Sequence, residues 1–197
     1  QELAFDSLGN LFTCDNNSDY GDISRWTFLA PGGDAGWRFP YQYKMKTGPW
    51  LRERMWLTYS DKAPASQLPV IANIADGPAG LTVYPGTAMG GQFRGKFFVS
   101  DFRGEAARSG VRSFRVEPKG AFFTASDLEK PVWGALTTDV DFGPDGSLYV
   151  SDWGESWDGA GVGRIYRIFN PAMADDPLVR QTADLLHGGF SDLPEDQ

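Results

Sequence analysis

An internal repeat constrains this chain more than any other feature. Leu3-Ala4-Phe5-Asp6-Ser7-Leu8-Gly9-Asn10-Leu11-Phe12-Thr13-Cys14-Asp15 and Val140-Asp141-Phe142-Gly143-Pro144-Asp145-Gly146-Ser147-Leu148-Tyr149-Val150-Ser151-Asp152 correspond almost position for position. Each is a short apolar strand, a glycine turn, a second strand carrying an aromatic residue, and a closing aspartate. A looser copy runs from Leu81-Thr82-Val83-Tyr84 through a longer loop to Gly95-Lys96-Phe97-Phe98-Val99-Ser100-Asp101. Antiparallel pairs are therefore predicted within residues 2–15, 81–101 and 140–152. A third strand is predicted after each, at 24–29, 111–116 and 163–168. In the last two, apolar and basic residues alternate, the period of a half-buried strand. Asp145-Gly146 suits a tight hairpin because glycine accepts positive φ without steric cost.

Hairpin, loop and third strand form the grammar of a β-propeller blade, a unit of about 40–45 residues. The expected fold class is all-β: a partial propeller of about three to four blades, with a short C-terminal helical extension. A closed propeller needs roughly four to eight blades. That shortfall, with Gln1 in place of a start methionine, leads us to expect a piece of a longer protein. Residues 1–170 are expected to form the C-terminal part of the propeller, and 171–197 a linker and the start of a helical extension. Helix is predicted over one or two turns between Gly48 and Trp56, and over Pro177–Leu186, with His187-Gly188-Gly189 as the stop signal.

Composition excludes several function classes. Across 197 residues the net charge is −8, without the basic footprint of a nucleic-acid binder. A single cysteine rules out an internal disulfide and a cysteine-rich zinc site. Cys14, within a strand, is expected to be a buried apolar residue. No stretch approaches the ~18 apolar residues of a membrane span. A single histidine, His187, lies in the predicted terminal helix, so a Ser/His/Asp set cannot be assembled with it.

In a propeller, the loops after the second strands and before the first strands open on one face. Here those loops are polar: 15–22, 101–105 and 152–158 after second strands, 73–78 and 137–139 before first strands. Asp15, Asn16, Asn17, Asp19 and Asp22 offer the hard oxygens that calcium prefers, without the EF-hand spacing. The alternative is an Asx-rich turn whose side chains bond their own backbone. Asp15, Asp101 and Asp152 end equivalent strands; they could ring the channel mouth and meet a cation or sugar hydroxyls, or cap the turns that follow. Arg103 could orient an anionic ligand or pair with Asp101 or Glu105. Trp153 and Trp157 beside Asp152 could stack on a sugar face or pack between blades.

Two stretches resemble the soluble quinoprotein sugar dehydrogenase superfamily. One is Glu2-Leu3-Ala4-Phe5-Asp6 with Gly9-Asn10-Leu11, followed by Pro31-Gly32-Gly33-Asp34-Ala35-Gly36-Trp37-Arg38. The other runs from Asp139-Val140 through Gly143–Val150 to Gly163-Arg164-Ile165-Tyr166-Arg167-Ile168. The segments 14–19, 73–78 and 99–104 are similar in particular to the membrane-bound dehydrogenase domain of planctomycete-type large proteins. The resemblance implies a six-bladed propeller, export to the periplasm or cell surface, pyrroloquinoline quinone (PQQ) with Ca2+, a sugar or alcohol substrate, and a haem or cytochrome c domain in the same parent chain. It implies an oxidoreductase in that parent, with a catalytic histidine from an earlier blade and this segment inactive alone. The alternative is a non-catalytic carbohydrate- or protein-binding propeller. Arg103 falls where a quinone-contacting lysine lies in the family, with Asp101 and Asp76 beside it as cofactor-binding candidates. Two quinone-contacting arginines of the family fall at Leu136 and Thr138, which carry no charge.

Overall fold

The computed structural model describes residues 2–36, 48–58, 67–86, 88–158 and 162–189. Ten strands form three antiparallel sheets among these residues. The first sheet contains β1 (Leu3–Phe5), β2 (Leu11–Cys14) and β3 (Trp26–Phe28). The second contains β4 (Pro78–Val83), β5 (Phe97–Asp101), β6 (Gly110–Lys119) and β7 (Phe122–Trp133). The third contains β8 (Thr137–Phe142), β9 (Leu148–Asp152) and β10 (Arg164–Ile168). Neighbours in sequence are neighbours in each sheet. All three predicted hairpins and all three predicted third strands are present. The strand β7 was not anticipated; its signal is Lys119-Gly120 before a Phe-Phe pair, while Pro131 within it argues against a strand.

The hairpins follow from turn chemistry. Gly146 has φ +69° and donates its N–H to the Gly143 carbonyl, while Asp145 accepts from the Ser147 amide at 3.1 Å. In the first sheet Asp6 performs the same service, accepting from the Leu8 and Asn10 amides at 2.9 and 2.8 Å.

The second sheet is held between the other two, and β5 shows it. All five of its residues are buried. Phe97 and Val99 join a cluster with Phe12 and Trp26 of the first sheet. Phe98, pointing the opposite way, joins Val140, Leu148 and Val150 of the third. A strand covered on both faces reads as an apolar run, as Phe97-Phe98-Val99 does here before the polar Ser100 and Asp101. Trp26 meets Phe97 at 5.0 Å and Phe114 at 4.9 Å, both edge-on. Each fully buried phenylalanine contributes about 1.5–3 kcal/mol. Gly80 lets β4 lie against β8: a Cβ there would come within 2.3 Å of the Asp139 carboxylate.

The short helix α1 (Pro49–Arg52) and α2 (Pro177–Gly188) match the predicted helices. Asp176 caps α2, accepting from the Leu178 amide at 2.8 Å, and Gly189 with φ +79° ends it. His187 lies in its last turn. No described helix is long and apolar enough to cross a membrane. Trp37 and Arg38 of the glycine-rich turn, and the tail 190–197, lie outside the described residues.

Candidate functional site

The strand-ending aspartates are tied to their own sheets. Asp101 is buried; its Oδ2 accepts from Arg112 Nε at 2.6 Å and Arg103 Nε at 3.0 Å, and its Oδ1 accepts the Asp76 amide at 2.8 Å. Asp152 repeats the pattern: Oδ1 accepts the Leu136 amide at 3.0 Å, and Oδ2 accepts from Tyr166 Oη at 3.3 Å. In both, one oxygen holds the loop before the sheet's first strand and the other holds its third strand. Asp15 binds Arg25 through the backbone amide and the guanidinium. Arg25 is 1% exposed, lies 4.6 Å over the Trp50 ring and donates to the Ala35 carbonyl. Sequence reasoning passed over Arg25; an arginine at the start of a third strand, as with Arg112 and Arg164, is the only signal it offers.

The rest of the acidic loop is also turned inward. Asp22 is buried and accepts from the Ser18 amide and hydroxyl and from Trp50 Nε1 at 2.9 Å. Asn17 accepts the Asp19 amide and donates from Nδ2 to Asp76 at 2.8 Å. Asp19 is exposed at φ +62°. Asn16 Oδ1 is buried without a hydrogen-bond partner among the described residues. No three acids, histidines or cysteines among those residues converge as metal ligands. Asp15 and Asp22 already answer to internal donors, so this loop does not fit calcium as it stands. Cys14 is buried, and burial together with neighbouring Asp15 pushes its thiol pKa far up, as befits an inert core residue.

The loops predicted to share a face do converge, on a pocket of about 360 Å³. Asn16 comes from the loop after β2, Phe102 from that after β5, and Trp153 and Trp157 from that after β9. Gly77, Pro78 and Ala79 enter from the start of β4, and Thr138 from β8. Backbone bonds lace the roof: Trp157 N donates to the Gly104 carbonyl at 2.8 Å and Ala106 N to that of Glu155 at 2.9 Å. The Trp157 ring meets Phe102 edge-on at 5.1 Å. Trp153 and Trp157 remain 49% and 68% exposed, so neither is consumed by packing. Thr138 Oγ1 shares a hydrogen bond with Ser151 Oγ at 2.8 Å.

The pocket is apolar with a few polar groups at its margin, and its size suits a small organic ligand. None of its lining residues is a cation. Arg103 and Arg112 both turn to Asp101, Arg103 Nη1 lies 4.0 Å from Asp76, and Leu136 is buried. A polycarboxylate quinone needs cationic partners for its carboxylates. These residues do not fit one.

No protein-family model and no curated protein matches the chain. Solved structures do. An oxidoreductase assigned as a glucose dehydrogenase, from Thermus thermophilus, superposes with a TM-score of 0.58 at 19% identity, over 85% of this chain and 44% of that one. A glucose dehydrogenase gives 0.57 at 14% identity, covering 84% and 43% of the two chains. Another gives 0.58 at 16%, covering 85% and 43%. The chain thus spans less than half the length of the solved structures it matches, and what it shares with these dehydrogenases is the fold.

Proposed function

We propose that this chain recognises a sugar or related polyol at the tryptophan pocket, as part of a dehydrogenase-like β-propeller. The observation that carries the reading is the pair of half-exposed indoles, Trp153 and Trp157, standing over a pocket of sugar size whose margin holds Asn16 and Thr138. A sugar ring offers an apolar C–H face to an aromatic wall and hydroxyls to amides and hydroxyls at its edge. Asp152 supports this pocket from below through its bonds to the Leu136 and Gly154 amides, rather than meeting the ligand itself.

Titrating glucose and other monosaccharides while following tryptophan fluorescence tests the reading. A saturable change in the millimolar range is expected. Trp153→Ala and Trp157→Ala should each weaken it by roughly tenfold, the loss of one stacking contact. No saturable change with any sugar, or affinity in both variants unchanged from that of the parent chain, would remove the proposal.

A second reading, favoured by the half-buried Arg103 retained at the rim, concerns a longer parent protein. There the six-bladed closure, oxidation of a sugar or alcohol with PQQ and Ca2+, export to the periplasm, and electron passage to a haem or cytochrome c domain remain proposals resting on the sequence resemblance. In that setting the cations and the base for a quinone have to come from residues other than the pocket lining, and this segment binds without turning over.

A further inference from the structure

The loop after β2 is gripped at both ends. Its first carboxylate, Asp15, accepts from Arg25 Nε at 2.9 Å, and its last, Asp22, accepts from Trp50 Nε1 at 2.9 Å. Arg25 and Trp50 are each 1% exposed, and the guanidinium carbon lies 4.6 Å over the indole ring. One stacked pair therefore holds both ends of the loop. Within it, Asp22 turns back to the Ser18 amide and hydroxyl, both at 2.8 Å, and Asn17 Nδ2 donates to Asp76 at 2.8 Å. Asn16 lies between the Asp15 and Asn17 anchors and lines the tryptophan pocket. Its Oδ1 is the buried acceptor left without a partner among the described residues.

Trp50 comes from outside the strand repeat. It lies in α1, on the excursion between β3 and β4, of which residues 48–58 are described. Trp50, Met55 and Trp56 form a small core of their own, with Leu51 and Leu57 packed against it. Asn73 ties that core down. Its Nδ2 donates to the Ser24 carbonyl at 3.0 Å and to the Trp56 carbonyl at 3.1 Å, and its Oδ1 accepts from Thr58 Oγ1 at 3.1 Å. Ser24 directly precedes Arg25, so this staple fixes the indole against the guanidinium that it covers. A buried indole N–H seeks an acceptor, and here the acceptor belongs to the loop after β2 rather than to the segment that carries Trp50.

We propose that Trp50 is a positioning residue for the tryptophan pocket. Through Asp22 and Ser18, with Arg25 at the other end, it sets where Asn16 presents its amide to a ligand hydroxyl. This role rests on the reading of the pocket as a sugar site. An amide held with an unpaired acceptor is poised for an incoming hydroxyl donor, and clamping the loop ahead of the ligand lowers the ordering cost of binding.

The test uses the 197-residue chain with glucose, or whichever monosaccharide saturates it, followed through the Trp153 and Trp157 indole N–H signals in NMR spectra. Trp50→Phe keeps a ring over Arg25 and removes the donor to Asp22. It is expected to shift the Asn16 side-chain amide signals in the free protein. It should also weaken sugar binding roughly three- to tenfold, the worth of one neutral hydrogen bond. Combined with Asn16→Ala, it should weaken binding no further than Asn16→Ala alone, because it acts through that residue. Ser18→Ala removes the hydroxyl link at a part-buried position and should act in the same direction, which keeps the role testable if Trp50→Phe does not fold. Unmoved Asn16 signals, unchanged affinity, or losses that add to those of Asn16→Ala overturn the positioning role and leave the pocket reading standing. A parent chain that binds no monosaccharide overturns the pocket reading and this role with it.

Discussion

Asp101 and Asp152 close register-equivalent strands in adjacent sheets, yet they are held differently. Asp101 is gripped by two guanidinium groups, Arg103 and Arg112. Asp152 meets a phenol hydroxyl at 3.3 Å, with the nearest guanidinium, Arg164, at 3.7 Å. Among the described residues, the second sheet has a fourth strand on its outer side and the third does not. Both carboxylates are buried, so both need compensation; Asp101 draws it from two guanidinium groups and Asp152 from amide and phenol donors. The repeat therefore sets where the carboxylate stands, while the surrounding layers set what must pair with it.

Removing the two aspartates should break this equivalence most visibly. Asp101→Ala strands two arginines and the Asp76 amide, and is expected to cost about 3–5 kcal/mol. Asp152→Ala loses mainly neutral hydrogen bonds and is expected to cost about 1–3 kcal/mol. Urea denaturation of both variants measures the gap; equal losses would mean that the fourth strand does not deepen the burial of Asp101.

Truncating the register-equivalent apolar positions, Val111 opposite Ser100 and Ile165 opposite Ser151, is the next largest contrast. Val111→Ala opens a cavity between the second and third sheets, beside Val140 and Val150, and should cost about 2 kcal/mol. Ile165→Ala at the open edge should stay within about 0.5 kcal/mol. A substantial loss at Ile165 in the isolated chain would show that the edge of β10 is already covered in solution.

The smallest contrast lies in the acid range. A hydrogen bond from Lys96 holds the Asp127 carboxyl below the usual aspartate value, with Arg115 adding to it. Burial works to raise Asp145, but hydrogen bonds from Ser147 and Arg167 outweigh it and hold that carboxyl low as well. Both groups bind protons more weakly folded than unfolded. Their contribution is complete above the ordinary aspartate pKa and is lost as pH falls through the depressed folded value. Asp127→Asn in the second sheet and Asp145→Asn in the third should each flatten the acid limb of a melting-temperature profile. An unchanged limb in either variant would remove that sheet's clamp from the comparison.

The sequence by itself determined the hairpins, the third strands, both helix positions and the face on which the loops gather. Those features depend on nearby residues: alternation along a strand, Asp-Gly at a turn, Asp176-Pro177 opening α2 and Gly189 closing it. The face follows because a repeated strand-loop-strand unit sends equivalent loops the same way, which brings Asn16, Phe102, Trp153 and Trp157 from three repeats to one pocket. Only the tertiary structure decided what each polar group does there. The Asp15–Asp22 loop reads as well for a metal site as for a turn, until Arg25, Ser18 and Trp50 are seen to occupy its carboxylates. Trp50 and Asp22 are 28 residues apart, Asn17 and Asp76 are 59 apart, and no local pattern encodes such meetings. The partner of a buried charge is chosen by which sheets pack together, and that choice is made by the whole core at once.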